Sequence, residues 1–180
     1  LQRQSNRLKK LTEDLASKAS TGNLKVELGP VDLGELLVQV TGEYEDRLRQ
    51  AGISPVVQSP EEPIIAMGDG RYLWRIIDNL LSNVRKYALP GTRVYIDASV
   101  LDGAAVISVK NISRDRLNVS ADELMRRFVR GDASRNTEGS GLGLSIAQSL
   151  AVLMHGKLSL TVDGDLFKAE LSLPLAEQTM

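Results

Sequence analysis

The stretch R-N-T-E-G-S-G-L-G-L-S-I-A-Q-S-L, Arg135 to Leu150, runs three alternate glycines, Gly139, Gly141 and Gly143, straight into an apolar-periodic segment. Glycine has no Cβ, so its backbone N–H groups can approach a ligand closely. The first N–H groups of a helix lack internal partners, and the helix dipole there favours anions. Glycines feeding a helix start therefore read as a phosphate seat. The spacing narrows which seat. A P-loop needs Lys and then Ser or Thr after its last glycine, but Leu144 follows Gly143. A dinucleotide fingerprint needs a strand before glycines at other intervals, but the residues before Gly139 are polar and charged. What remains is a basic loop, with Arg126, Arg127, Arg130 and Arg135, that ends in glycines. A plain surface loop with a glycine helix start fits the same residues, and this stretch alone leaves both readings open.

A second signal lies upstream, in L-W-R-I-I-D-N-L-L-S-N-V-R-K-Y-A, Leu73 to Ala88. Leu73, Ile76, Ile77, Leu80, Leu81, Val84 and Ala88 recur at helical spacing and form one apolar arc. At about 3.6 residues per turn, Asn79, Asn83 and Lys86 fall along one border of that arc. Asn is a poor helix-interior residue because its amide competes for backbone hydrogen bonds. Two of them a turn apart, at the edge of a core, suit a polar ligand. An Asn carbonyl can bind a hard cation, and Mg²⁺ commonly joins a few protein oxygens to substrate phosphates. Lys86 is a natural phosphate partner. A solvated helix flank explains the same pattern and stays open at this point.

Composition narrows the class of protein. The chain has 180 residues, a formal net charge of −1 and 42% hydrophobic residues. That length suits one domain with an appendage. Near-neutral charge argues against a nucleic-acid binder, which needs a basic face. There is no Cys and only one His, so disulfides, thiolate sites and a His-rich zinc site are excluded. No apolar run approaches the roughly 18 residues of a membrane span. The chain begins at Leu1 without Met or a signal-like segment, and it is expected to be a piece of a longer protein.

The pattern along the chain predicts an α+β fold. Leu1, Leu8, Leu11 and Leu15 form a narrow a/d-like stripe that needs a partner, and Ser20-Thr21-Gly22-Asn23 closes that helix. The helix can also lie on its own domain. Asp32, with Glu35 three residues on, caps a helix that runs to Ala51. Val31 and Leu36 flank the cap as a hydrophobic staple, and Gly52 stops the helix. Ile53–Ser59 and Ile64–Met67 read as short strands interrupted by prolines. Val94, Ile96, Ala98 and Val100 alternate before Asp102-Gly103, and Val106 to Val109 returns. A second hairpin turns at Asp163-Gly164 between Leu158–Val162 and Phe167–Leu173. Helices over Asp32–Ala51, Leu73–Ala88 and Gly143–His155 each carry one apolar face. They are expected to cover one face of a mixed sheet in a two-layer α/β sandwich. His155 sits at a helix C-terminus, where an imidazole can satisfy carbonyls or meet the dipole.

Taken together, these stretches are similar to a known motif set. N-L-L-S-N-V-R-K-Y resembles the N box of histidine-kinase ATP-binding domains. R-F-V-R-G-D-A-S-R-N resembles their F box and lid, and G-S-G-L-G-L-S-I-A resembles their second glycine box. Order and spacing fit from about Pro30 onward. The resemblance implies the Bergerat ATP-binding fold shared with gyrase, MutL and related ATPases. It divides the chain into residues 1–22, the second helix of a dimerisation and phosphoacceptor hairpin, and residues 23–180, the catalytic domain.

One box departs from the family. There the strand after the first hairpin runs into Asp-x-Gly-x-Gly, whose Asp accepts a hydrogen bond from the adenine amino group. Here the matching stretch is V-K-N-I-S-R-D, with Asn111 at the Asp position and Ser113 at the first glycine. Asn111 can still accept through its amide oxygen, but without charge. The bond is then about half as strong as a charge-assisted one. Asp115 lies nearby at the wrong spacing.

The resemblance implies a sensor histidine kinase that moves the γ-phosphoryl group of Mg–ATP to a His on a dimerisation hairpin outside this chain. Asn83 would hold Mg²⁺. Asn79 stands where related ATPases carry a general-base Glu, and its neutrality suits a transferase that must not activate water. Lys86, Arg130 and Arg135 would meet phosphates, and Tyr87 would pack on the nucleotide. Phe128, Leu142 and the three glycines complete the ATP site. The implied partners are a second copy through the hairpin and a response-regulator receiver domain, with no nucleic acid and no membrane contact by this part. The implied place is the cytoplasmic side of a membrane-bound bacterial sensor. Two rivals remain at the sequence level. One is a degenerate regulatory module of the same fold that barely binds ATP. The other is a gyrase-type hydrolase, which would want Glu at position 79.

Overall fold

Two hairpins and one added strand make the main sheet. The computed structural model describes residues 25–115 and 142–176. Strand β4 (Arg93–Leu101) turns into β5 (Ala104–Ile112) through Asp102 and Gly103, at φ 51° and 78°. Leu101 pairs with Ala104 across that turn. Positive φ at both central residues is what a type I′ hairpin requires, and Asp-Gly supplies it cheaply. The second hairpin, β6 (Lys157–Asp163) and β7 (Leu166–Pro174), turns one residue later than the Asp163-Gly164 reading. Asp163 still pairs with Leu166, so Gly164 and Asp165 form the loop, and Gly164 alone has positive φ. Burial sets this register. Leu158 opposes Leu171, both buried, and a one-residue slip would turn every apolar side chain outward.

Strand β2 (Ser54–Gln58) joins the edge parallel to β4, giving the mixed order β2-β4-β5-β7-β6. A small second sheet pairs β1 (Gly29–Asp32), which the sequence pattern does not reveal, with β3 (Ile65–Gly68). On the main sheet, Val94, Ile96, Ala98, Ala105, Ile107, Val109, Ala169, Leu171 and Leu173 are buried in one core with the helices. The alternate positions include charged side chains: Lys110 lies 5.5 Å from the Tyr95 ring, and Lys168 pairs with Glu170 at 3.2 Å.

Among the described residues, three helices cover the apolar face. Helix α1 (Leu33–Gln50) starts at Asp32, whose side chain accepts from the Glu35 N–H at 3.2 Å. It ends in a Schellman pattern. Gly52, at φ 80°, donates to the Arg49 carbonyl, and Ile53 donates to that of Leu48. Helix α2 (Gly70–Tyr87) begins three residues before Leu73, because Asp69 caps it by accepting from the Arg71 N–H at 3.0 Å. Helix α3 (Leu142–Leu153) packs on α2 and β6.

Helix α3 stops two residues short of His155. The backbone closes it, not the imidazole. His155 takes φ 62° and donates its N–H to the Val152 carbonyl, while Gly156 donates to that of Ala151. The glycine that would ordinarily take the left-handed position is needed one place later. A Cβ on Gly156 would lie 2.3 Å from the Ser172 carbonyl oxygen. His tolerates the left-handed conformation better than most residues. The helix read over residues 1–22, with its closing Ser20 to Asn23, lies outside the described residues. No described helix is long and apolar enough to cross a membrane.

Candidate nucleotide site

The site grows from the border of α2. Leu73, Ile76, Ile77, Leu80, Leu81 and Val84 are buried in the core, which fixes the rotation of the helix. That rotation leaves Asn79, Asn83 and Lys86 half-buried along one flank. Asn79, Lys86 and Tyr87 are each engaged in polar or ring interactions. On the opposite flank, the Tyr44 hydroxyl of α1 donates to the Asp78 carboxylate. Burial, then that bond, raises the Tyr44 hydroxyl well above its ordinary value. This contact pins α1 to the residue next to Asn79.

The far end of α2 is tied to the end of β5 by backbone hydrogen bonds. Leu89 donates to the Ile112 carbonyl and Arg114 donates to that of Tyr87, both at 2.8 Å. Ala88 and Ser113 bridge between them. Two segments far apart in sequence, the N-box end and the altered Asp-x-Gly-x-Gly stretch, thereby become neighbours. Asn111 continues the inward row of Ala105, Ile107 and Val109 and is 4% exposed. Ser113, at the position of the lost glycine, is also buried. Asp115, the other carboxyl considered, is exposed. Tyr87 is half-buried, and that burial raises its hydroxyl, with Arg114 acting the other way.

Helix α3 begins at Leu142, so Gly143 lies in its first turn, where N–H groups are free of helical partners. Phe128, Arg130, Arg135, Gly139 and Gly141 lie outside the described residues. The structure thus brings together Asn79, Asn83, Lys86, Tyr87 and Asn111 on or beside α2, and puts Leu142 and Gly143 at the start of the helix packed against it. An open cleft of about 420 Å³ at the start of α1 is lined by none of these residues. Its walls carry Asp32, Glu35, Glu61 and Glu62, carboxylates that repel a polyphosphate.

Sequence reasoning missed two features. Asp69 is buried and does more than cap α2. Its Oδ2 accepts from the Glu27 N–H and from Arg71, each at 3.0 Å. Tyr72 donates to the Lys25 carbonyl at 2.9 Å, so the start of α2 grips the segment entering the domain. An N-cap Asp before Gly70 was the available signal. Arg75, four residues before Asn79, has its Nε buried without a partner. Its i−4 spacing from Asn79 was the signal there.

Comparison with known proteins gives a consistent picture. The family model "Histidine kinase-, DNA gyrase B-, and HSP90-like ATPase" matches residues 68–177. The probable sensor protein PcoS of Escherichia coli is 32% identical over 162 residues, covering 88% of this chain and 34% of PcoS. The probable sensor histidine kinase TcrY of Mycobacterium tuberculosis is 28% identical over 175 residues, covering 96% of this chain and 36% of TcrY. The chain spans about a third of the length of these relatives. Among solved structures, full-length ShkA in complex with AMPPNP matches with a TM-score of 0.77 and 25% identity, covering 94% of this chain and 35% of ShkA.

Proposed function

The chain belongs to the histidine kinase-, DNA gyrase B- and HSP90-like ATPase family, and from that premise we propose that it binds Mg–ATP and phosphorylates a histidine on a dimerisation hairpin. The observation that carries this reading is the backbone tie between Tyr87–Leu89 and Ile112–Arg114. It brings the stretch that holds the buried amide Asn111 to the end of a helix whose flank bears Asn79, Asn83 and Lys86. The donor set fits a metal nucleotide. Asn83 offers a neutral amide oxygen at the core's edge, Lys86 a cation, and Gly143 a first-turn N–H.

Phosphoryl transfer of this kind asks mainly for positioning and charge neutralisation. Mg²⁺, held by Asn83, would neutralise phosphate charge. Lys86, with Arg130 and Arg135, would fix the phosphates. Tyr87 would pack on the base, and Asn111 would accept from the adenine amine. Asn79, an amide at the position of a general base, cannot deprotonate water, which favours transfer over hydrolysis. The P–O bond to the β-phosphate breaks, a P–N bond forms to the acceptor imidazole, and ADP leaves. The same reading gives the whole protein a second copy, a receiver-domain partner and a cytoplasmic kinase region of a membrane sensor.

Calorimetric titration with ATP tests the reading. The wild-type chain is expected to bind Mg–ATP, and Asn83→Ala to weaken binding in Mg²⁺ far more than in EDTA. Equal losses in both buffers remove Asn83 from the metal. A wild-type chain that binds no nucleotide leaves the degenerate regulatory module as the better reading.

A further inference from the structure

Among the described residues, three side-chain atoms are buried without a hydrogen-bond partner: Thr41 Oγ1, Asp97 Oδ1 and Arg75 Nε. Asp97 lies on the polar face of the sheet, and Thr41 belongs to α1. Arg75 alone is a cation, and it stands on α2, four residues before Asn79. At 3.6 residues per turn, Arg75, Asn79 and Lys86 share one flank, with Asn83 at its core-facing edge. A guanidinium N–H removed from water without an acceptor is costly, and an arginine fork matches phosphate oxygens.

The flank has a direction. Its C-terminal end meets Asn111 through the Tyr87–Arg114 and Leu89–Ile112 hydrogen bonds, and so is the base end. Moving toward the N-terminus, Lys86 comes first, then Asn83, then Asn79, then Arg75. At a rise of about 1.5 Å per residue, Arg75 lies about 12 Å beyond Asn83 and about 6 Å beyond Asn79 along the axis. A triphosphate whose base sits at Asn111 and whose metal sits at Asn83 ends toward Arg75.

Resting on the nucleotide reading above, we propose that Arg75 binds the terminal, γ-phosphate oxygens of ATP through its guanidinium, whose Nε has no partner. The side chain would then discriminate triphosphate from diphosphate, holding the group to be transferred and relaxing its grip on the product.

Paired titrations of the whole chain with Mg–AMPPNP and Mg–ADP test this. Arg75→Gln keeps much of the length and polarity without the charge. It is expected to weaken AMPPNP binding on the order of tenfold and to leave ADP binding within about twofold. Arg75→Lys should fall between, because a point charge replaces the fork. Retained ADP affinity also shows that the variants fold. Equal losses for both nucleotides, or no loss for either, overturn the assignment. If the wild type binds neither nucleotide, the nucleotide reading fails first and this inference falls with it. If it binds both and Arg75→Gln makes no distinction, this inference alone fails.

Discussion

Asn111 differs from a carboxylate by one atom and one charge, and at 4% exposure it has little water to compensate for either. A neutral acceptor facing an adenine amine makes an ordinary hydrogen bond, and Asp would make a charge-assisted one about 1 kcal/mol stronger. Asn111→Asp is therefore expected to tighten ATP binding several-fold, since about 1.4 kcal/mol is tenfold. GTP presents a carbonyl where ATP presents the amine, so its affinity should not rise. Parallel titrations with both nucleotides decide the matter, because general stabilisation would help both alike. An equal gain, or none, means that Asn111 does not face the base. At this scale the sequence was informative where chemistry constrains the residue type. Asn79, Asn83 and Lys86 could be placed by helical period alone. Arg75 could not, because an arginine on a helix flank looks solvated until its Nε is found buried.

Helix α2 carries the proposed site, and its first turn is bonded to the segment that enters the domain. Burial of Asp69 pushes its carboxyl upward, but the Arg71 guanidinium and the N–H groups of Glu27 and Arg71 outweigh this and hold it below the ordinary value. A lowered folded value means that the contribution is complete above the unfolded carboxylate range and is lost as pH falls through the folded value. Asp69→Ala removes the cap and the bond to Glu27 and should cost about 2 kcal/mol near neutral pH. Denaturant titrations of wild type and Asp69→Asn should converge as pH drops below about 4, the ordinary carboxylate range. A gap between them that does not change with pH would remove the ionised carboxylate from the account. Elements with strong periodic signals, α1, α2 and both hairpins, were readable from sequence. Their edges shifted where tertiary needs prevailed. Gly70 hid the start of α2, the Leu158–Leu171 pairing moved a turn by one residue, and Gly156 was held by the Ser172 carbonyl, which left His155 to end α3. Strand β1, four residues with a proline, pairs only because β3 lies beside it.

At the scale of the molecule, the described residues put Gly143, at the proposed phosphate seat, and the only histidine of the chain at opposite ends of α3. Gly143 is in the first turn of that helix, and His155 is an exposed residue just past its end. Twelve residues at about 1.5 Å each put roughly 18 Å between them. His155 is also fixed in the left-handed backbone conformation by the Schellman closure, so its side chain cannot swing back along the helix without unwinding the last turn. A phosphoryl group seated at α2 and the start of α3 is therefore out of its reach. The chain incubated with γ-labelled ATP and Mg²⁺ is expected to remain unlabelled. Given a phosphoacceptor hairpin in trans, it should place the label on that hairpin, at a rate limited by their encounter. His155→Gln should transfer as well as the wild type, because the residue closes a helix through its backbone and takes no part in the chemistry. Acid-labile phosphate on His155 itself would contradict the geometry directly. A loss of trans-transfer in His155→Gln, with ATP affinity unchanged, would mean that the histidine takes part after all.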